Sequence, residues 1–223
     1  MVGPSTPGEP NGPGGPVGPV DPVRHWYENE QGWPTVPGDP VRLAVGERFD
    51  VLDVPAEAGH AALERLRGDG RTGPAAAGFP VALQRGRMLL LVAAGSAEEL
   101  PGLLDWLEWG TLALDLAAIG AGGLIDAPPP PAAGPGALRP PAVRAGSQGA
   151  AVWLRPPGPG RGGEASLPAL SATGGRGDAP DLVRLVSAVA TQCHRVRLLR
   201  ACDRPPAGMR EAGRTDAQPF ARS

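Results

Sequence analysis

The sequence predicts an α+β protein, a mixed β-sheet with packed helices, and three observations carry that prediction. Apolar runs of strand length, 49–54, 88–93 and 122–127, alternate with segments of helical periodicity. The runs 80–84 and 88–93 flank Arg85-Gly86-Arg87 as the two arms of a hairpin. Over 181–200, Leu182, Val186, Val189, Cys193, Val196 and Leu199 recur at three- and four-residue steps, the apolar face of a helix lying on a sheet. Strands interleaved with helices and hairpin pairs argue against a doubly wound parallel fold.

Taken in order, residues 1–21 are rich in Gly and Pro without a collagen period and read as a disordered tail. Residues 22–28 read as a short helix with Pro22 in its first turn, closed by Gly32. The prolines of 33–37 suit an edge strand, because Pro cannot donate to a central ladder. The run 49–54 reads as a buried strand. Residues 55–67 follow as a helix, with Pro55 at its first position, Glu57 in the first turn, Ala58, Ala62, Leu63 and Leu66 on one side, and Gly68 as the stop. Ser96 and Glu99 have capping-box spacing and open a helix through Trp109, restarting at Pro101. Leu112, Leu114 and Leu116 alternate with Ala113 and Asp115 and suggest a strand. Strands at 122–127 and 150–155 enclose a flexible Gly/Pro-rich loop at 128–149, and 156–163 is loop again. The polar stretch 203–223 reads as a flexible tail, leaving one folded unit over 22–202.

Composition narrows the chemistry. The 29 Pro and 34 Gly exceed a quarter of 223 residues, so the folded part is shorter than the chain. All 21 basic residues are Arg. Without Lys there is no P-loop, no Schiff base and no lysyl-adenylate chemistry. Residues 1–138 hold 8 Arg against 17 acids, and residues 139–223 hold 13 Arg against 6, so the halves carry opposite charge. A basic C-terminal half can meet nucleic acid or the chain's own acidic half, and the overall balance of −2 favours the second. Two cysteines are too few for a disulfide framework, nothing resembles a signal peptide, and the apolar stretch 111–125 is broken by Asp115 and too short to span a bilayer. The expectation is a cytoplasmic protein with no membrane partner.

The residue that bears most on function is Asp53, a carboxylate at the end of the 49–54 strand. Side chains alternate along a strand, so a second acid on its face belongs at position 55, which is Pro55. Asp53 is also placed to cap the helix that follows. Cys193, His194, Cys202 and Asp203 suggest zinc, but neighbouring helix residues point about 100° apart and no Cys-x-x-Cys accompanies them, so Cys193 is expected in the helix seam. Trp106 and Trp109 could stack on bases, though aromatics at helical spacing more often pack against a sheet. The turn at Gly120-Ala121-Gly122-Gly123 fails the dinucleotide fingerprint, since Ile125 stands where its last Gly is needed. Arg176-Gly177-Asp178 carries no weight as a tripeptide. Arg195, Arg197 and Arg200 form a basic patch near a helix C-terminus, where the dipole favours cations in any case.

Several pieces fall in an ordered series: Trp26-Tyr27-Glu28, Gly32-Trp33-Pro34-Thr35-Val36-Pro37, Ala44-Val45-Gly46, then Val51-Leu52-Asp53-Val54. Gly86-Arg87-Met88-Leu89-Leu90-Leu91 and the segment from Leu114-Asp115-Leu116 to Ala127-Pro128-Pro129 continue it. This order resembles the N-terminal domain of bifunctional DNA primase/polymerases from bacterial mobile elements and actinobacterial genomes, over residues 23 to about 155. The resemblance implies a site in which carboxylates hold two magnesium ions for nucleotidyl transfer. Asp53 matches the family's first acid and Asp115 its third. Pro55 stands at the second, Met88 stands where a His would contact phosphate, and the segment between Pro37 and Ala44 is much shorter. Glu57, in the first turn of the following helix, could stand in for the missing acid.

These departures imply a degenerate, catalytically inactive pseudoenzyme acting as a binding or regulatory module, with no cofactor. The alternatives are a working nucleotidyltransferase using Asp53, Asp115 and Glu57 with Mg2+ or Mn2+, and an unrelated interaction module whose Pro-rich segments serve partner domains.

Overall fold

The computed structural model describes residues 21–68, 78–131, 149–158, 160, 166–170 and 181–203. The N-terminal tail up to residue 20, most of the 128–149 loop, the tail beyond 203 and Arg176-Gly177-Asp178 lie outside the described residues. The chain is α+β. Helix α1 (Pro22–His25) runs into a π-turn (Trp26–Gln31) that Gly32 ends at φ 71°. Strands β1 (Thr35–Val36), β2 (Arg42–Ala44) and β3 (Phe49–Pro55) follow, then helix α2 (Ala56–Gly68). Next come β4 (Val81–Gln84), β5 (Arg87–Ala93), α3 (Ser96–Trp106), β6 (Ala117–Ile119), β7 (Leu124–Asp126), β8 (Val152–Arg155) and α4 (Leu182–Cys202).

The strands form a five-stranded sheet ordered β6-β3-β5-β4-β8 and a three-stranded sheet ordered β1-β2-β7. Every pairing within the two sheets is antiparallel, and the one parallel contact among the described residues is an isolated bridge from Ala169 to Asp181. The β4–β5 hairpin fixes one of these pairings. It turns at Arg85 (φ 48°) and Gly86 (φ 77°), both left-handed as a two-residue hairpin requires, and lays β5 against β3 in the opposite sense.

Strand β5, central in the larger sheet, is apolar from Met88 to Ala93 because it is covered on both faces. Leu52 and Val54 join Met88, Leu90 and Val92 under α2 and α4, whose inward faces supply Ala58, Ala62, Leu63, Leu185, Val186 and Val189. Phe49 and Val51 join Leu89 and Leu91 on the other face, with Tyr27, Trp33, Leu43 and Ile125. Each such large side chain contributes about 1.5–3 kcal/mol when buried. Gly59 brings α2 close to β5: a Cβ there would fall 2.3 Å from the Met88 Sδ. Across the second cluster, the buried Tyr27 hydroxyl donates to the Pro128 carbonyl (2.7 Å) and accepts from Trp153 Nε1 (3.1 Å), tying the π-turn to β8.

Three local expectations are corrected. Residues 112–116 form no strand; bends and irregular backbone occupy that segment and the strand begins at Ala117, with Leu112 exposed and paired to no strand among the described residues. Ser96 is not the cap of α3. Gly95, at φ 91°, is the cap residue, and the orphan amide of Ala97 is met by Asp50 Oδ2 at 2.8 Å, a carboxylate reaching across from β3. Trp106 does not pack on the sheet; it is 71 % exposed. Strand β2 was not foreseen, being three residues long and too short to show a period.

Candidate functional site

Asp53, Asp115 and Glu57 come from three separate elements, and arginines tie them into one network at the end of β3. Strand β3 runs through Pro55, which pairs with Arg87 at the start of β5. The Ala56 amide bonds the Gly86 carbonyl (2.9 Å), so α2 leaves the sheet directly from the hairpin turn. Asp53 lies two positions back and shares the face of Leu89 and Ala117. Asp115 sits in the turn segment before β6, and Glu57 in the first turn of α2.

Arg87 is the hub. Its Nε donates to Asp53 Oδ1 at 2.7 Å, its Nη1 to Asp115 Oδ1 at 2.6 Å, and its Nη2 to the backbone carbonyl of Asp53 at 3.0 Å. The guanidinium fork suits this, since its donors are coplanar and splayed. Burial works against the charge on Arg87, but its hydrogen bonds to both carboxylates and their charge outweigh it and hold its pKa above the ordinary guanidinium value. At the rim, Arg200 of α4 reaches Asp115 Oδ2 (3.8 Å) and Glu57 Oε1 (3.4 Å). Arg197 donates to the Ala113 carbonyl, and the Cys193 thiol lies 3.6 Å from the Asp115 carbonyl. Burial, with the nearby Asp115 charge, pushes that thiol up to about 11.

This corrects the capping role expected of Asp53: its carboxylate is taken by Arg87, and β3 passes through Pro55 directly into α2. Met88 is placed apart from Asp53. It pairs with Val54, one residue on, so it faces the helices while Asp53 faces the other way. The two therefore do not line one pocket.

The residues do not fit a magnesium ion. A divalent cation needs several carboxylate oxygens free to approach it. Asp53 and Asp115 instead share a guanidinium, the next position on the Asp53 face of the strand is Pro55, and no group of three or more His, Cys, Asp or Glu side chains is placed to hold a metal among the described residues. Cys193 is buried in the helix seam, and the His194 ring lies tilted against Trp109, centroids 5.8 Å apart.

Sequence reasoning missed the partner rather than the acids. Arg87 was in view as part of the Gly86-Arg87-Met88 run, but the turn before β6 gives no periodic signal, so nothing in the sequence announced that one arginine would meet two carboxylates. The basic patch divides: Arg197 and Arg200 serve the chain's own loop and acids, while Arg195 is exposed. No helix among the described residues is long and apolar enough to cross a membrane. A scan against known protein families finds no matching family model, and searches of curated proteins and of solved structures find no match.

Proposed function

We propose that this chain is a primase/polymerase-like domain that has lost metal-dependent nucleotidyl transfer and serves as a binding or regulatory module. One observation carries the reading: the Arg87 guanidinium lies between Asp53 and Asp115, hydrogen-bonded to both, so the two acids that the resemblance would assign to metal ions are engaged by an internal cation. Pro55 and the buried Met88 support it, because neither the second acid nor a phosphate-contacting His has a counterpart on the Asp53 face. The test is primer synthesis and extension by the purified protein with template, nucleotides and Mg2+ or Mn2+. No product is expected, and synthesis that disappears in Asp53→Ala would overturn the proposal.

A second reading, nucleotidyl transfer through Asp53, Asp115 and Glu57, draws on the convergence of these three acids through Arg87 and Arg200. It requires Arg87 to vacate the site. Under it Arg87→Ala gains Mn2+ affinity and activity; under the first reading the same variant gains no activity.

A further inference from the structure

A pocket opens at the end of the three-stranded sheet where β2 starts and β7 finishes, and no residue of the Arg87 network lines it. Its volume is about 450 Å3, within the ~300–1,000 Å3 range of pockets that take small molecules. The Ala127 amide donates to the Val41 carbonyl (2.9 Å) and so continues the β2–β7 pairing by one step. Val41 and, just before β8, Ala151 are buried and give the pocket an apolar lining. Asp21 ahead of α1, Asp39 ahead of β2 and Asp126 at the end of β7 bring three carboxylates to it from three segments. No Arg or His lines it among the described residues.

The bonds these carboxylates already make leave room for a cationic ligand. Asp21 Oδ1 accepts from the Val23 amide (2.9 Å) and Asp126 Oδ2 from the Gln84 side-chain amide, both neutral donors. The Asp39 carboxylate has neither a hydrogen bond nor an ion pair among the described residues. A point cation does not suit the arrangement, because no three acidic side chains among the described residues are placed to hold one metal ion. Separate negative groups around an apolar floor call instead for an extended cation with apolar spacers. We propose that this pocket binds a linear aliphatic polyamine, its ammonium groups meeting Asp21, Asp39 and Asp126 and its methylene chain lying on Val41, Ala127 and Ala151. An ammonium has three donors and no acceptor, so it can take the open oxygen of Asp21 or Asp126 while the other oxygen keeps its amide. Each contact of this exposure is weak alone; affinity comes from several made by one chain.

The inference goes beyond the binding-module reading and does not depend on it: primer synthesis would sink that reading and leave this pocket's ligand unaffected. The experiment is isothermal titration calorimetry of the full chain at low ionic strength, with spermidine, putrescine and butylamine as probes. Affinity should fall in that order, and should fall further as salt rises. Asp21→Asn, Asp39→Asn and Asp126→Asn each remove one charge, and Asn keeps an acceptor for the Val23 and Gln84 donors. Each variant should melt with the wild type and weaken spermidine binding about two- to fivefold, and the triple variant should lose it. Ala150→Phe, at an exposed lining position, should block binding by shape alone. Glu99→Gln combined with Glu108→Gln, outside the pocket, should leave binding unchanged. Equal binding by the triple variant, undiminished binding by Ala150→Phe, or loss in the Glu99→Gln/Glu108→Gln protein overturns the proposal. So does displacement of spermidine by an equal concentration of Mg2+ at matched ionic strength, or a tri-lysine peptide that binds more tightly than spermidine.

Discussion

Arg87 holds Asp53 twice, by its side chain and by its backbone: Nε meets the carboxylate at 2.7 Å and Nη2 meets the same residue's carbonyl at 3.0 Å. The double contact pins the end of β3 to the start of β5, and the remaining nitrogen carries the tie to Asp115. Removing the guanidinium leaves two carboxylates side by side. Arg87→Ala should therefore cost about 1–2 kcal/mol, held to that range because the pair is partly solvent-exposed. Arg87→Lys should recover less than half of the loss, since an ammonium keeps the charge but cannot fork. Urea unfolding of the three proteins measures both; an unchanged midpoint in Arg87→Ala would contradict the hub role.

Gly59 sits in mid-helix where alanine ordinarily gains about 1 kcal/mol. Here a Cβ would fall 2.3 Å from Met88 Sδ. Gly59→Ala should instead destabilise by about 1–3 kcal/mol through overpacking, and the penalty should shrink in a Met88→Val background that removes the sulfur. Equal penalties in both backgrounds would locate the strain elsewhere.

Asp50 is buried, and burial raises its carboxyl pKa against the pull of the α3 backbone amides, with the charge of Glu98 raising it further. A folded-state pKa above the unfolded value of about 3.9 means that ionising Asp50 costs stability. Its protonated form thus contributes stability that is complete below the unfolded pKa and lost as pH rises through the folded one. Asp50→Asn keeps an acceptor for the Ala97 amide and removes the charge. The variant should gain on the wild type as pH rises from 4 to 7, in melts run at matched ionic strength; a difference independent of pH would refute it.

Cys193 is 1 % exposed with its thiol pushed up to about 11, while Cys202 is exposed. Iodoacetamide at pH 8 should modify one thiol in the native protein, at Cys202, and both in urea. Mass spectrometry after digestion reads the sites, and rapid native labelling of Cys193 would show that the middle of α4 lifts from the sheet.

The fold was largely legible because its main elements carry strong periods. The β3 run, the β4–β5 hairpin and the 3.6-residue face of α4 follow from alternation and turn residues alone. What escaped was set by partners distant in sequence. Ser96 has the local chemistry of a cap, yet Asp50 does that work from a strand 47 residues away. Trp106 has core spacing, yet α3 ends there and leaves its indole exposed. At the site, Asp53 and Asp115 were nameable as acids, but their joint counter-ion depends on how β5 and the turn before β6 meet in space.

The bond from Trp153 to the Tyr27 hydroxyl spans 126 residues, and the one from Tyr27 to Pro128 spans 101. During synthesis the aromatic cluster around Tyr27 and Trp33 is made early but must wait for nearly the whole domain before its polar end is satisfied. Closing so long a loop is entropically costly and slow. The π-turn is therefore a late arrival in folding although it is made before the strands that complete its contacts, and a nascent chain that stalls before β8 leaves that cluster open to wrong partners.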